Sequence, residues 1–427
     1  MSHAGKDSMK IYIKQAIIFD RASNYHKAKK DVLIENGMIT EIKDHIDVSD
    51  ADHTIESSNL HISSSWVDIK ANFCDPGHEH KEDLTSGSKV ALAGGFGHVF
   101  LSGNNNPVTD SKTQVKYIEH HNSNSALQMH AIGSITDKME SKQLAEMYDM
   151  HQNGVRMFSD GSQSLPAGVL QRALLYAQNF DGLVVSFPQN ASIVSDGQVN
   201  EGIASIKTGL KGIPSIGEVI EVQRDLNLLN YTGGKIHFSG ISTKESVDLI
   251  RKAKLDGMNV TADVYVNHLI YDEKDLLEFD TNHKVLPPYR TNRDREALWK
   301  GLAEGVIDCI ASNHEPQNRE EKFVEFDNAA FGSISLQTFY GSLSDYFDQY
   351  HELIIDKITT QPRKLVNLPV PVIEIGRPAD LTIFDPSIIW EYNNLSNYSK
   401  STNSSLYDQS IKGKVLAVIK GGCCQFN

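Results

Sequence analysis

Histidine pairs and grouped carboxylates are the side chains from which metal sites and acid–base pairs are built. His78-Glu79-His80 has the spacing that puts both imidazoles on one side of an extended segment, as a metal pair would require. It lies in a polar turn leading to a helical stretch, Thr85–Gly94, with no further ligands gathered near it, which favours a solvated loop. His237, His268 and His314 fall at or near apolar β-type runs. Each could hold a metal, but a hydrogen-bonded structural histidine is the commoner occupant of such a position. Gly94-Gly95 and Gly233-Gly234 lack the context of a phosphate loop and are turn glycines. Cys74, Cys309, Cys423 and Cys424 form neither a Cys-x-x-Cys pair nor a regular framework, which fits a reducing compartment.

Whatever these side chains do, the chain must first position them. Between about residues 61 and 350 one unit repeats: a short apolar or β-branched run, a polar turn, then an amphipathic stretch. The predicted strands are Trp66–Lys70, Gly97–Leu101, Leu127–Gly133, Val155–Phe158, Leu183–Phe187, Lys235–Ser239, Val260–Tyr265 and Ile307–Ala311. Helical patterns at Ala167–Asn179, Glu218–Leu229, Thr243–Asp256 and Arg293–Glu304 alternate with them. Eight such units predict an α/β fold, a closed (β/α)8 TIM barrel with its functional mouth at the C-terminal strand ends. The flanks alternate like antiparallel strands instead, at Ile11–Phe19, Lys29–Ile42, Asp380–Phe384 and Gly413–Lys420, with a hairpin signal at Asn36-Gly37. The expected organisation is a small β-sandwich built from residues 1–60 and 366–427 around a barrel at 61–365. The Asn- and Ser-rich stretch Asn393–Ser405 reads as a surface loop.

The 427 residues carry a formal charge of -14, which argues against nucleic acid or an anionic membrane as partner. No apolar run approaches the roughly 20 residues of a membrane helix. The first eight residues read as a polar tail without the apolar core of a signal peptide, so the expected location is the cytoplasm.

Several segments, in order, resemble bacterial dihydroorotases of the cyclic amidohydrolases. They are Asp75-Pro76-Gly77, Lys81-Glu82-Asp83, Ser86-Gly87, Gly94-Gly95-Phe96, Phe158-Ser159-Asp160-Gly161, Asn200-Glu201-Gly202 with Gly212-Ile213-Pro214, Ile241-Ser242-Thr243, Lys284-Val285 with Pro287-Pro288, and Glu320-Glu321-Lys322 with Phe331-Gly332. The resemblance spans almost the whole chain and implies a metallo-dependent hydrolase barrel in which zinc activates water for attack on a ring amide. It also implies the family pattern Asp-x-His-x-His-x-Arg after the first barrel strand. This chain reads Asp68-Ile69-Lys70-Ala71-Asn72-Phe73-Cys74 there, so Lys70 and Asn72 stand at the histidine positions and Cys74 at the substrate arginine. Of the remaining metal positions Asp160 is retained, while Phe187 and Gly240 replace histidines and Asn313 replaces the catalytic aspartate. Asn104 keeps a substrate position, whereas Leu286 and Gln317 replace an asparagine and a histidine.

Phenylalanine, leucine and glycine cannot ligate zinc or pair with a carboxylate. The resemblance therefore implies a degenerate homologue in pyrimidine biosynthesis, a pseudoenzyme with no intact catalytic group and no zinc. It would act as a homo-oligomer or as a structural partner of aspartate transcarbamoylase. The alternative is an active cyclic amidohydrolase with an atypical metal site. Asp160 needs a new partner once the metal is gone, and the expectation is that Lys70 supplies it across the mouth; the alternative is that Asp160 faces water in an open pocket.

Overall fold

The computed structural model describes residues 9–123 and 125–427. The expected tail over the first eight residues lies outside them. Among the described residues eight parallel strands form the barrel: Trp66–Ala71, Phe96–Leu101, Gln128–Ala131, Met157–Phe158, Leu183–Ser186, Ile236–Phe238, Val260–Tyr265 and Cys309–Ala311. They match the predicted strands one for one. The first three make one parallel ladder and the other five a second. Single parallel bridges, Gly133 to Phe158 and Ala71 to His314, join the two ladders into a ring.

Alternation along each strand sends one set of side chains inward and the other outward. Val67, Ile69, Phe100, Met157, Val185 and Tyr265 share one buried cluster with Cys309 and Ala311. Trp66, Phe96, Val99 and Val184 pack instead in the cluster formed with the helices. The helix Lys244–Leu255 shows why the surrounding layer forms where it does. Thr243 accepts the Ser246 amide as its N-cap, Val247, Ile250 and Ala253 are buried, and Lys244 and Asp248 pair one turn apart on the outer side. The helix Asn292–Ala303 opens on a capping box between Thr291 and Asp294.

The two ends of the chain meet in one sheet. Strands Lys10–Phe19, Lys29–Glu35, Met38–Lys43, His53–Ile55 and His61–Ser64 join Asp380–Tyr392, Gln409–Lys420 and Cys423–Phe426. The junction is the antiparallel pairing of His61–Ser64 with Leu381–Phe384. The strands of the expected sandwich thus form a single hydrogen-bonded sheet of eight, over a core that includes Ile13, Ile18, Val32, Ile62, Ile383 and Ile419. The Asn36-Gly37 hairpin is present, with both residues at positive φ. Glycine is needed there because a Cβ on Gly37 would lie 2.3 Å from the Gly421 carbonyl carbon.

The stretch 393–405 is irregular, as expected, but it is not simply a surface loop. Ser401, Asn403 and Ser404 are buried, and Asn403 donates to the carbonyls of Glu315 and Gly332. Its side chains find acceptors on the barrel's own loops, which offsets their burial. No helix among the described residues is long and apolar enough to cross a membrane.

Candidate functional site

The C-terminal ends of the strands bring Lys70, Tyr265, Ser239 and Asp263 together. The Lys70 Nζ donates to the Tyr265 hydroxyl at 2.7 Å and lies 5.2 Å from the centre of the Phe187 ring. The Tyr265 hydroxyl in turn bonds Ser239 Oγ at 3.2 Å, and Ser239 donates to Asp263 Oδ2 at 3.0 Å. Asp263 also accepts from the Gly240 amide at 2.6 Å and bonds His237 Nε2 at 3.0 Å. Burial pushes the Lys70 amine below its ordinary value, against the pull of the Asp263, Glu315 and Asp68 carboxylates.

Asp160 faces elsewhere. It accepts the backbone amides of Ile135 at 2.7 Å and Thr136 at 3.0 Å, together with the Thr136 hydroxyl. Burial pushes its carboxyl up, while these bonds hold it down. The expected pairing of Lys70 with Asp160 is therefore corrected: no ion pair joins them. Two amides and a hydroxyl following the third strand already satisfy the carboxylate, and the lysine turns toward the phenol across the barrel.

Asn72 bridges two partners, donating to Glu315 Oε1 at 2.9 Å and accepting the Cys74 amide at 2.7 Å. Cys74 is buried, and burial pushes its thiol up. Gln317 donates to the Phe331 carbonyl and accepts from Lys81, both at 2.8 Å. Phe187 is buried, Leu286 is half-buried, and Asn104 is exposed beside Gly161. Asn313 sits in the left-handed region with φ 47°. Asp68, below the mouth, accepts from the Ser312 amide at 2.8 Å and hydroxyl at 2.5 Å, and burial pushes its carboxyl up to about 7.

The histidines stay apart. His314 Nδ1 accepts the Ser335 and Leu336 amides at 3.3 Å each, which leaves Nε2 as the protonated nitrogen, 3.7 Å from Glu82. His268 bonds the Pro287 carbonyl at 2.9 Å, and His237 lies between Asp263 and Thr261. His78 and His80 are exposed, with ring centres 6.2 Å apart. Among the described residues no three histidine, cysteine or carboxylate side chains converge as a metal cluster would need.

Zinc calls for imidazoles, thiolates or carboxylates around an open position. Lys70, Asn72, Phe187, Gly240 and Asn313 offer none, and Asp160 is engaged by the turn it caps. A Cβ on Gly240 would lie 2.5 Å from the Tyr265 ring, so that ring fills the space a side chain at 240 would need. What is left of the mouth is a void of about 10 Å³, lined by Ile69, Lys70, Ile132, Met157, Val185 and Ser239 among others. That is on the order of one water. The residues present do not fit the metal.

A larger cavity, about 920 Å³, opens away from this point, between residues 279–282, 317–324 and 402–409. Tyr265, Ser239, Asp263 and Glu315 escaped the sequence reading. Period-2 alternation along Val260–Tyr265 would have put Asp263 and Tyr265 on one side of their strand, but no spacing shows that Tyr265 reaches Lys70, 195 residues away.

In fold, the chain is an amidohydrolase-type barrel with an appended sheet. L-hydantoinase from Arthrobacter aurescens superposes with a TM-score of 0.82 at 19% identity, covering 97% of this chain and 95% of that one. Dihydropyrimidinase from Brevibacillus agri NCHU1002 gives 0.79 at 17%, covering 98% and 96%. Residues 61–246 match the family model described as dihydro-orotase-like. A dihydroorotase of Syntrophotalea carbinolica is 36% identical over 97% of this chain and 98% of its own length. One from Caldicellulosiruptor saccharolyticus is 37% identical over 96% and 97%. The chain belongs to the dihydroorotase family.

Proposed function

We propose that this protein is a non-catalytic dihydroorotase homologue of pyrimidine biosynthesis. In this reading it is a cytoplasmic structural partner, assembling with itself or with aspartate transcarbamoylase. The observation that carries the reading is the Tyr265 ring in the space beside Gly240, together with the side chains at the other ligand positions. A shift of substrate alone would leave a metal site intact. In this reading the donors and the space are both gone, so no water would be brought near the pKa of about 7 that zinc confers. Asn313 cannot take up a proton as a carboxylate can. A rigid barrel without its chemistry still offers surfaces for assembly, although fold by itself does not imply that role.

The second reading is an active cyclic amidohydrolase with a rebuilt metal site, supported by the 36% identity to a protein named dihydroorotase. Two measurements on protein purified without chelators separate the readings: metal content and dihydroorotate hydrolysis. The proposal expects far less than one zinc per chain and no turnover above background. Stoichiometric zinc with turnover in the common range of roughly 1 to 1,000 per second would establish the second reading. For the assembly role, affinity purification from the native organism is expected to return a larger complex containing the transcarbamoylase or further copies of this chain. Recovery of the monomer alone would remove that part.

A further inference from the structure

The cavity of about 920 Å³ has the volume of a small-molecule site, roughly 300–1,000 Å³. Its walls come from three distant segments: the loop after the seventh barrel strand at 279–282, the loop after the eighth at 317–324, and residues 402–409. Hydrogen bonds tie these walls together. Lys322 Nζ donates to the Thr281 carbonyl at 2.6 Å and the Ala330 carbonyl at 2.8 Å, and Thr281 Oγ1 returns a bond to the Lys322 carbonyl at 2.7 Å. Asn403, buried in the third wall, donates to the carbonyls of Glu315 and Gly332 and accepts the Gln317 amide at 3.1 Å. Walls held in this way lose little freedom when a ligand binds.

The chemistry of the walls is neutral and polar. Arg319 stands against Asp280 and Asp408, while the Lys322 amine is committed to carbonyls and burial pushes it down to about 7. Among the described residues no protein group bonds the side chains of Asn282, Thr402, Tyr407 or Gln409, which line the same space. Each is an amide or a hydroxyl that both donates and accepts, as a sugar hydroxyl does. Two aromatic rings complete the lining. Phe323 is 80% exposed, with the Arg319 guanidinium over one side of its ring at 5.1 Å. Phe279, half exposed, is held at φ 60°, a left-handed backbone that is strained for a bulky residue and recurs where a side chain is placed for function. We propose that this cleft binds a short neutral oligosaccharide, its hydroxyls bonded to the unpaired amides and hydroxyls and its C–H faces packed on Phe279 and Phe323.

The walls disfavour the rival ligands. An anion such as a sugar phosphate would meet one exposed cation and two carboxylates. A nucleoside could stack on an aromatic ring, but a base carries its polar groups along the edges of one plane. The unpaired groups here stand on separate walls, at 282 and at 402–409, and suit a ligand with hydroxyls all round it. Of the family's substrate positions only Gln317 lies in this lining, and its amide is already bonded to the Phe331 carbonyl and the Lys81 amine. The inference goes beyond the non-catalytic reading of the barrel and does not depend on it.

The test is saturation-transfer NMR on the full chain with maltotriose, cellotriose and tri-N-acetylchitotriose, and with uridine as the heterocyclic rival. At least one of the sugars is expected to show saturation transfer and to bind more tightly than uridine. Phe323→Ala, which truncates an exposed side chain, should weaken that sugar's affinity about tenfold. Tyr231→Ala removes a similarly exposed ring on the helix Ile216–Thr232, away from the cleft, and should leave the affinity unchanged. Saturation of none of the sugars, or tighter binding of uridine than of all of them, would overturn the proposal. So would an affinity that survives Phe323→Ala or falls equally in Tyr231→Ala. Dihydroorotate hydrolysis on the same preparation reports separately on the non-catalytic reading.

Discussion

Gly240 and Tyr265 are mutually exclusive with a histidine at position 240: a Cβ there would meet the tyrosine ring at 2.5 Å, and the Gly240 backbone has φ 74°. The aromatic ring and the missing side chain are two halves of one packing solution. A histidine placed at 240 by itself therefore meets the Tyr265 ring.

Gly240→His is expected to lose stability twice, through overpacking at about 1–3 kcal/mol and through a left-handed backbone at about 1–3 kcal/mol. Urea unfolding of Gly240→His and of Gly240→His with Tyr265→Ala checks this. The double variant should recover part of the loss, because the ring that clashes has been removed. If the two changes add with no recovery, the clash is not what excludes the side chain.

Lys70→Met should be tolerated. It removes a buried amine at nearly constant volume, and Tyr265 keeps its bond to Ser239. The expected change is about 1.5 kcal/mol or less. Combined with Asp160→Ala, its effect should add within about 0.5 kcal/mol, as for groups without shared partners. A larger coupling in the double-mutant cycle would mean that the two charges do interact.

Asp160→Ala alone should be costly, because the Ile135 and Thr136 amides and the Thr136 hydroxyl lose their acceptor. About 2–4 kcal/mol is expected. Hydrogen exchange should rise at Ile135 and Thr136 specifically. Unchanged protection there would show that the carboxylate does not hold the turn.

Asp68 sets a pH dependence. Burial raises its folded carboxyl from 3.8 to about 7. The folded chain thus binds this proton more tightly than the unfolded chain does, and the associated stability is present in full below about 4 and lost as pH rises toward 7. Urea midpoints measured from pH 5 to 8 should fall for the wild type and change less for Asp68→Asn. Parallel profiles would assign the trend to other groups.

The sequence by itself determined the eight barrel strands, the four helices read from their apolar spacing and the Asn36-Gly37 turn. Each rests on local periodicity or on a backbone conformation that few residues adopt. It also determined that ligand-type side chains are missing at Lys70, Asn72, Phe187, Gly240 and Asn313, because residue identity needs no coordinates. Which groups meet across the mouth was decided only by the closed barrel. Lys70 was expected to turn to Asp160, since opposite charges attract over any spacing a sequence can show. Ring closure instead set the Tyr265 hydroxyl 2.7 Å from the amine, and the turn at 135–136 had already satisfied the carboxylate. Polar loop 393–405 was legible as irregular but not as buried, because its acceptors, the carbonyls of Glu315 and Gly332, lie about as far off in sequence as the barrel's last strand. Pairing between distant segments depends on strand tilt and register around the whole ring, and no local pattern encodes it.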